Sequence, residues 1–353
     1  MKLLLVLCAL AMLGAADPAQ VVREQQPNEA VSADELGLRQ KVLETPWFTF
    51  YSHFGFNLYD AVLTSATARR DKGADPLHEG GCFGSLVQEE RSAWDAAVSY
   101  YAETVAATSD FSRERAIVRA HLAGVEISLD DDDRRDLQLS LLFLRAAAPA
   151  WRACRWEEQD AVNRRWIAEL GPRLERHADA IGRRLEQLFG ASWRRRPIAV
   201  DVVATAGWAG ADTANFDAAT HIRISSRNPG YQGAAALEMV FHEASHALVL
   251  PRRGPIAELI ASASSTTGVP VHPSLWHGLL FVTVGEVVRE VLAAAGEGPY
   301  KPVADDVFRG DWEVLRQPLV EKWLPFVRGE TGREEAARSL MTALGERYRP
   351  GTR

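Results

Sequence analysis

One stretch limits what this chain can fold into more than any other. Residues 237–250 read Leu-Glu-Met-Val-Phe-His-Glu-Ala-Ser-His-Ala-Leu-Val-Leu, without proline or glycine. Met239–Phe241 and Ala247–Leu250 are apolar, so the segment predicts a helix buried on most sides. In a helix, residues four apart lie about 40° apart around the axis and one turn along it. His242 and His246 therefore aim their rings at one point, where a metal ion about 2.0–2.1 Å from each nitrogen satisfies both. Glu243 projects about 100° to the side of His242, too far round to be a third ligand. It is placed instead to take a proton from water beside the ion, the general-base role in metal-assisted hydrolysis. Burying three such groups without partners is costly, and a shared cation removes most of that cost.

A third ligand has to come from downstream, where Glu258, His272, His277, Glu286 and Glu290 are the candidates. His277 and Glu286 stand about 180° apart on a helix, so the two cannot serve one site. The His277 face continues through Phe281, Val284 and Val288 and predicts inward packing. The Glu286 face holds Thr283, Arg289 and Glu290 and reads as solvent or a salt-bridged rim. His277 is the expected ligand. Tyr231 and Tyr300 are candidate phenol donors to a developing oxyanion, and Tyr300, after Gly298-Pro299, is favoured as the catalytic partner of Glu243. Glu238, one turn before His242, either receives a ligand imidazole N–H or lies on the helix surface.

The His-Glu-x-x-His stretch resembles the active-site helix of the zincin metallopeptidases. The resemblance spans residues 197–295 and is strongest at the motif. It implies an α+β, predominantly α-helical chain with a zincin-like catalytic region: a small sheet, the His-Glu-x-x-His helix, Zn2+ as cofactor and a peptide or protein substrate. Zincins commonly place an edge strand before the site helix, and Thr220–Ser225 is expected to be that strand, with His221 exposed on it. Metzincins carry glycine and a third histidine soon after the motif. Here Ala247-Leu248-Val249-Leu250-Pro251-Arg252 follows, which excludes that subgroup.

Upstream, helical periodicity dominates. Trp47-Phe48-Phe50-Tyr51-Phe54-Leu58 predicts an aromatic helix or two short ones, and residues 157–189 predict a long amphipathic helix interrupted at Gly171-Pro172. The acidic run Asp130–Asp133 reads as a helix start rather than a calcium site. Ile198–Ala204 and Thr220–Ser225 predict strands with a loop between them. The expected organisation is a signal peptide at 1–16, a flexible leader at 17–36, a helical N-terminal region at 37–195 and the metal-site region at 196–353.

Lys2, the apolar run Leu3–Leu13 and Ala16 carry the first of these assignments. That run falls well short of the ~20 residues that span a bilayer. An exported protein, periplasmic or secreted, without a stable membrane anchor is therefore expected. Five lysines stand among the 40 basic residues, and the skew to arginine suggests a GC-rich, bacterial genome. Cys82 and Cys154 would remain after cleavage, and sequence leaves open whether they pair. A net charge of −7 offers no basic field for nucleic acid, and the oligomeric state is also left open. The expected function is a secreted zinc-dependent hydrolase, a metallopeptidase with Glu243 as general base. The alternative is a non-catalytic periplasmic binding or structural protein with a degenerate or structural metal site.

Overall fold

The computed structural model describes residues 36–347, apart from 38, 74–80, 110–111, 194–195, 208–209 and 217–218. The expected signal peptide, and all of the expected leader except Leu36, lie outside the described residues.

The fold is α+β and mostly helical, built on one mixed five-stranded sheet. Its strands are β1 (Arg39–Glu44), β2 (Phe48–His53), β3 (Ile198–Val203), β4 (Ala211–Asn215) and β5 (Thr220–Ser225), in the order β1-β2-β3-β5-β4. Several expectations are corrected here. The aromatic run after Trp47 is first a strand, and helix α1 (Phe54–Lys72) starts only at Phe54. β2 lies between two strands and is buried on both faces, so it lacks the polar alternation that marks a half-exposed strand.

The boundary expected at 195/196 cuts through the sheet, because β2 pairs in parallel with β3 from Phe48↔Ile198 to Ser52↔Val202. Thr220–Ser225, expected at the edge, is interior, and the edge is β4, in the segment read as a loop. Ala-Asp-Thr-Ala-Asn has little intrinsic strand preference. Antiparallel pairing with β5, from Ala211↔Ile224 to Asn215↔Thr220, holds it.

The two faces of the sheet differ. One carries Phe48, Phe50, Val200, Val202, Ile222 and Ile224. Against it packs helix α5 (Glu157–Phe189), with Trp166, Leu170, Leu174, Ile181 and Leu185 in the shared core. α5 continues without interruption through Gly171-Pro172. Gly182 is required in it, since a Cβ there would stand 2.1 Å from the Trp47 indole. The other face carries Asp201, His221, Arg223 and Asp212 beneath α1 and helix α3 (Arg113–Leu122). Between these two helices in the chain runs α2 (Gln88–Glu103).

Helix α4 (Asp131–Trp151) starts with a capping box between Asp130 and Asp133 and joins α5 through a π-helical turn at Arg152–Trp156. Cys154 lies in that turn and is disulfide-bonded to Cys82 across a sequence separation of 72. Closing a loop of that length restricts the unfolded chain by roughly 4 kcal/mol. Three helices complete the region of interest: α6 (Ala234–Ser245) on β4 and β5, α7 (Pro255–Thr267) and α8 (Leu275–Ala294). A last helix, α9 (Arg333–Gly345), packs on α7. Among the described residues no helix is long and apolar enough to cross a membrane.

Candidate metal centre

α6 ends sooner than its apolar sequence suggests. Its last carbonyls are reached only by tightened backbone turns, at Glu243 and Ala244, and side chains from other elements add donors to them. Thr213 Oγ1 lies 2.8 Å from the Glu243 carbonyl, Trp193 Nε1 donates to the Ala244 carbonyl at 2.9 Å, and Asn215 Nδ2 donates to the His246 carbonyl at 3.0 Å. His246 is consequently the C-cap, in a turn tightened to the Glu243 carbonyl. The edge strand thus fixes the end of the helix that carries the motif.

Across from it, the first turn of α8 presents His277. His242 Nε2 and His277 Nε2 are 3.2 Å apart, and one ring nitrogen from each of His242, His246 and His277 lies within 4.8 Å of the other two. Aromatic rings enclose the trio. Phe281 packs on His242 with ring centres 3.8 Å apart, Trp276 stacks on His277 at 4.9 Å, and Trp312 meets His277 edge-on at 5.1 Å. His242 is 1% exposed, while His246 and His277 are half-buried and open the cluster to one side.

Burial in this apolar setting disfavours imidazolium. It pushes His246 down to about 4 and His277 to about 3, with the neighbouring histidine adding to the effect at His277. His242 is lowered well below its ordinary value by burial and then by the other two histidines. All three are neutral bases at neutral pH. Glu243 is buried as well, and burial raises its carboxyl to about 8 against the opposing hydrogen bond from Thr213. Its Oε2 lies 2.7 Å from Thr213 Oγ1 and 4.0 Å from His246 Nε2. One hydroxyl proton cannot serve both the Glu243 carboxyl and its carbonyl. A protonated carboxyl donating to Oγ1, with Oγ1 donating to the carbonyl, satisfies every group.

The remaining candidates lie elsewhere. Glu286 is half a turn from His277 and accepts from Arg289 at 2.5 Å and Arg328 at 2.6 Å. Burial raises its carboxyl, but the two guanidinium groups outweigh that and lower it. Glu258 is exposed on α7, Glu290 is half-buried on α8, and His272 Nδ1 accepts from the Ser274 amide at 3.1 Å.

Tyr300 donates its hydroxyl to Glu238 Oε2 at 2.6 Å, and burial followed by that carboxyl raises its pKa. The donor expected for an oxyanion is therefore committed to another group. Glu238 is buried rather than on the helix surface, and its Oε2 also accepts from the Val303 amide at 3.0 Å. Tyr231 is the tyrosine that senses Glu243: burial, then the charge of Glu243, lifts its phenol to about 12. His221, expected to be exposed, is buried and bonded to Asp201 at 2.6 Å.

Sequence reasoning missed Thr213, Asn215 and Trp193, which lie far from the motif in the chain, and the aromatic wall of Trp276 and Trp312.

The donor set fits zinc. Two ligands in a tetrahedral shell at 2.0–2.1 Å stand about 3.3–3.4 Å apart, close to the 3.2 Å between His242 and His277. Three neutral imidazoles also suit zinc better than magnesium or calcium. No family model, curated protein or solved structure matches this chain.

Proposed function

We propose that this chain is a zinc-dependent metallopeptidase with a zincin-like catalytic region, exported from a bacterial cell and acting on peptides or proteins. The observation that carries the reading is the convergence of His242, His246 and His277 on one point, with the Glu243 carboxyl 4.0 Å from His246 Nε2. The three histidines would hold zinc, leaving a position for water or substrate. Zinc, when held there, supplies a positive charge that polarises a carbonyl and acidifies water.

The chain's own residues do the rest. Glu243 in its ionised form would take a proton from water beside the ion, because the positive charge of a bound cation offsets the burial that otherwise holds the carboxyl protonated, and would then pass that proton to the leaving amine. Thr213 keeps the carboxyl in one orientation during both transfers. Tyr231, whose phenol is lifted to about 12 by burial and then by the charge of Glu243, is the tyrosine we assign as donor to a developing oxyanion.

The test pairs metal analysis with turnover. The full chain should bind one zinc and cleave an unstructured protein such as casein. Glu243→Gln should keep the zinc and lose about 10²–10⁴ in rate, because an amide cannot accept the proton. Undiminished cleavage by Glu243→Gln would falsify the mechanism. A closed four-ligand zinc in the wild type, seen by X-ray absorption, would favour a structural site instead.

A further inference from the structure

We propose that Arg119 and Asp212 are positioning residues for the reaction: by fixing the register and the facing of β4 they keep Thr213 against Glu243. The reaction they serve rests on the metallopeptidase reading.

β4 needs such a device. It is an edge strand with one neighbour, β5. A half-buried strand is ordinarily held in register by its apolar side, because a slip of one residue turns every side chain to the other face of the sheet. In β4, Ala211, Thr213 and Asn215 point one way and Asp212 and Ala214 the other. Neither side is an apolar stripe. The charge on the strand is Asp212, which stands directly opposite Arg223 in the ladder. Its Oδ2 accepts from Arg223 Nε at 3.0 Å, and its Oδ1 accepts from Arg119 Nη2. Arg119 comes from α3, 93 residues away in the chain, and is only 7% exposed.

The consequence falls on the next residue. Thr213 faces the other way, with Oγ1 2.7 Å from Glu243 Oε2 and 2.8 Å from the Glu243 carbonyl. Two residues on, Asn215 Nδ2 reaches the His246 carbonyl at 3.0 Å. A slip of one residue would carry Asp212 to the Glu243 side, carboxylate against carboxyl, and would take their shared partner from Arg119 and Arg223. The register that pairs Asp212 is thus the register that aims Thr213 at the base. In this way α3, on the far side of the sheet from the histidines, bears on the chemistry.

The experiment uses the full zinc-loaded chain with casein, and turnover is counted per bound zinc. Arg119→Met should lower kcat about tenfold to a hundredfold, as a misplaced catalytic group does, with KM and zinc stoichiometry unchanged. Asp212→Asn, of the same shape, serves the same purpose if the first variant folds poorly. Thr213→Val should lose a similar factor. Adding Arg119→Met to Thr213→Val should cost less than about twofold more, because Arg119 acts through Thr213. Arg39→Met is the control: it takes a guanidinium from Asp201 on the interior strand β3, on the same face of the sheet, and should cost stability but not kcat.

Amide hydrogen exchange of the metal-free protein gives a second readout. Residues 211–215 should exchange at least about tenfold faster in Arg119→Met than in the wild type, with β3 unchanged. Undiminished kcat in Arg119→Met and Asp212→Asn, a full second loss in the Thr213→Val background, or unaltered exchange of β4 overturns the positioning role and leaves the peptidase reading intact. Faster exchange of β4 in Arg119→Met, without cleavage by the wild type, keeps the hold on the strand and removes the reaction it would serve. A wild type that does not cleave, with no difference in exchange, overturns both.

Discussion

The two faces of the sheet bury polar groups in opposite ways. Under α1 and α3, Arg223 pairs with Asp60 and Asp212, Arg119 pairs with Asp212, and Arg39 and His221 meet on Asp201. Three guanidinium groups face three carboxylates, so this cluster is closed on itself. On the other face, beside β4, three histidines gather, and the nearest carboxyl is pushed towards its neutral form. Buried charges endure when they are paired. On the reading proposed above, the positive charge these three imidazoles would share is the metal ion. On that reading the contrast separates a cluster that finishes a fold from one built to take a ligand.

The strongest way to break the comparison is to remove a histidine. His277→Ala should lower zinc affinity by more than about a hundredfold, while Glu286→Ala should keep stoichiometric zinc after dialysis and lose only some stability. Zinc retained by the first variant and lost from the second would reverse the assignment.

The closed cluster should respond in stability instead. Arg223→Met leaves Asp60 and Asp212 buried without their shared guanidinium and should cost about 3–5 kcal/mol in urea unfolding. The molecules that remain folded should still bind zinc one to one. A loss below about 1 kcal/mol would mean that the network adds little.

The smallest effect sharpens the contrast near the site. Glu238 is raised to about 7, chiefly by burial. Its folded pKa lies above the unfolded value of about 4.5, so its contribution to stability is present below pH 4.5 and disappears as pH rises through 7. In Glu238→Gln that slope should vanish, and the variant should gain on the wild type by on the order of 3 kcal/mol between those limits. Parallel stability–pH curves for the two proteins would show that Glu238 titrates as it does in the unfolded chain.

How much of this was legible depended on whether a feature was local. The motif helix was, because the spacing of His242 and His246 and the apolar flanks lie within a few turns. The phase of His277 against Glu286 was too, since both sit on one helix with an apolar stripe at Phe281, Val284 and Val288. β4 was not: Ala-Asp-Thr-Ala-Asn carries no alternation and is a strand only because β5 pairs with it. The alternation of β5 was readable, but its polar side was mistaken for solvent, because nothing local tells that Asp60 and Arg119 cover Arg223 and Asp212. The Thr213 contact with Glu243 and the Tyr300 contact with Glu238 join residues 30 and 62 apart, and no periodicity encodes such pairs.

The parallel pairing of Phe48 with Ile198 has a consequence for the order in which the molecule forms. Every residue proposed to hold zinc lies in the last third of the chain, yet β3, which steadies β5 and through it β4, needs a neighbour made about 150 residues earlier. Closing so long a loop is slow compared with forming local helices. α6 and α8 can therefore coil early, but their histidines cannot be locked together until the two halves of the sheet have met. In a refolding experiment, tight zinc capture should arrive with the final phase, so that the metal marks completion rather than nucleation.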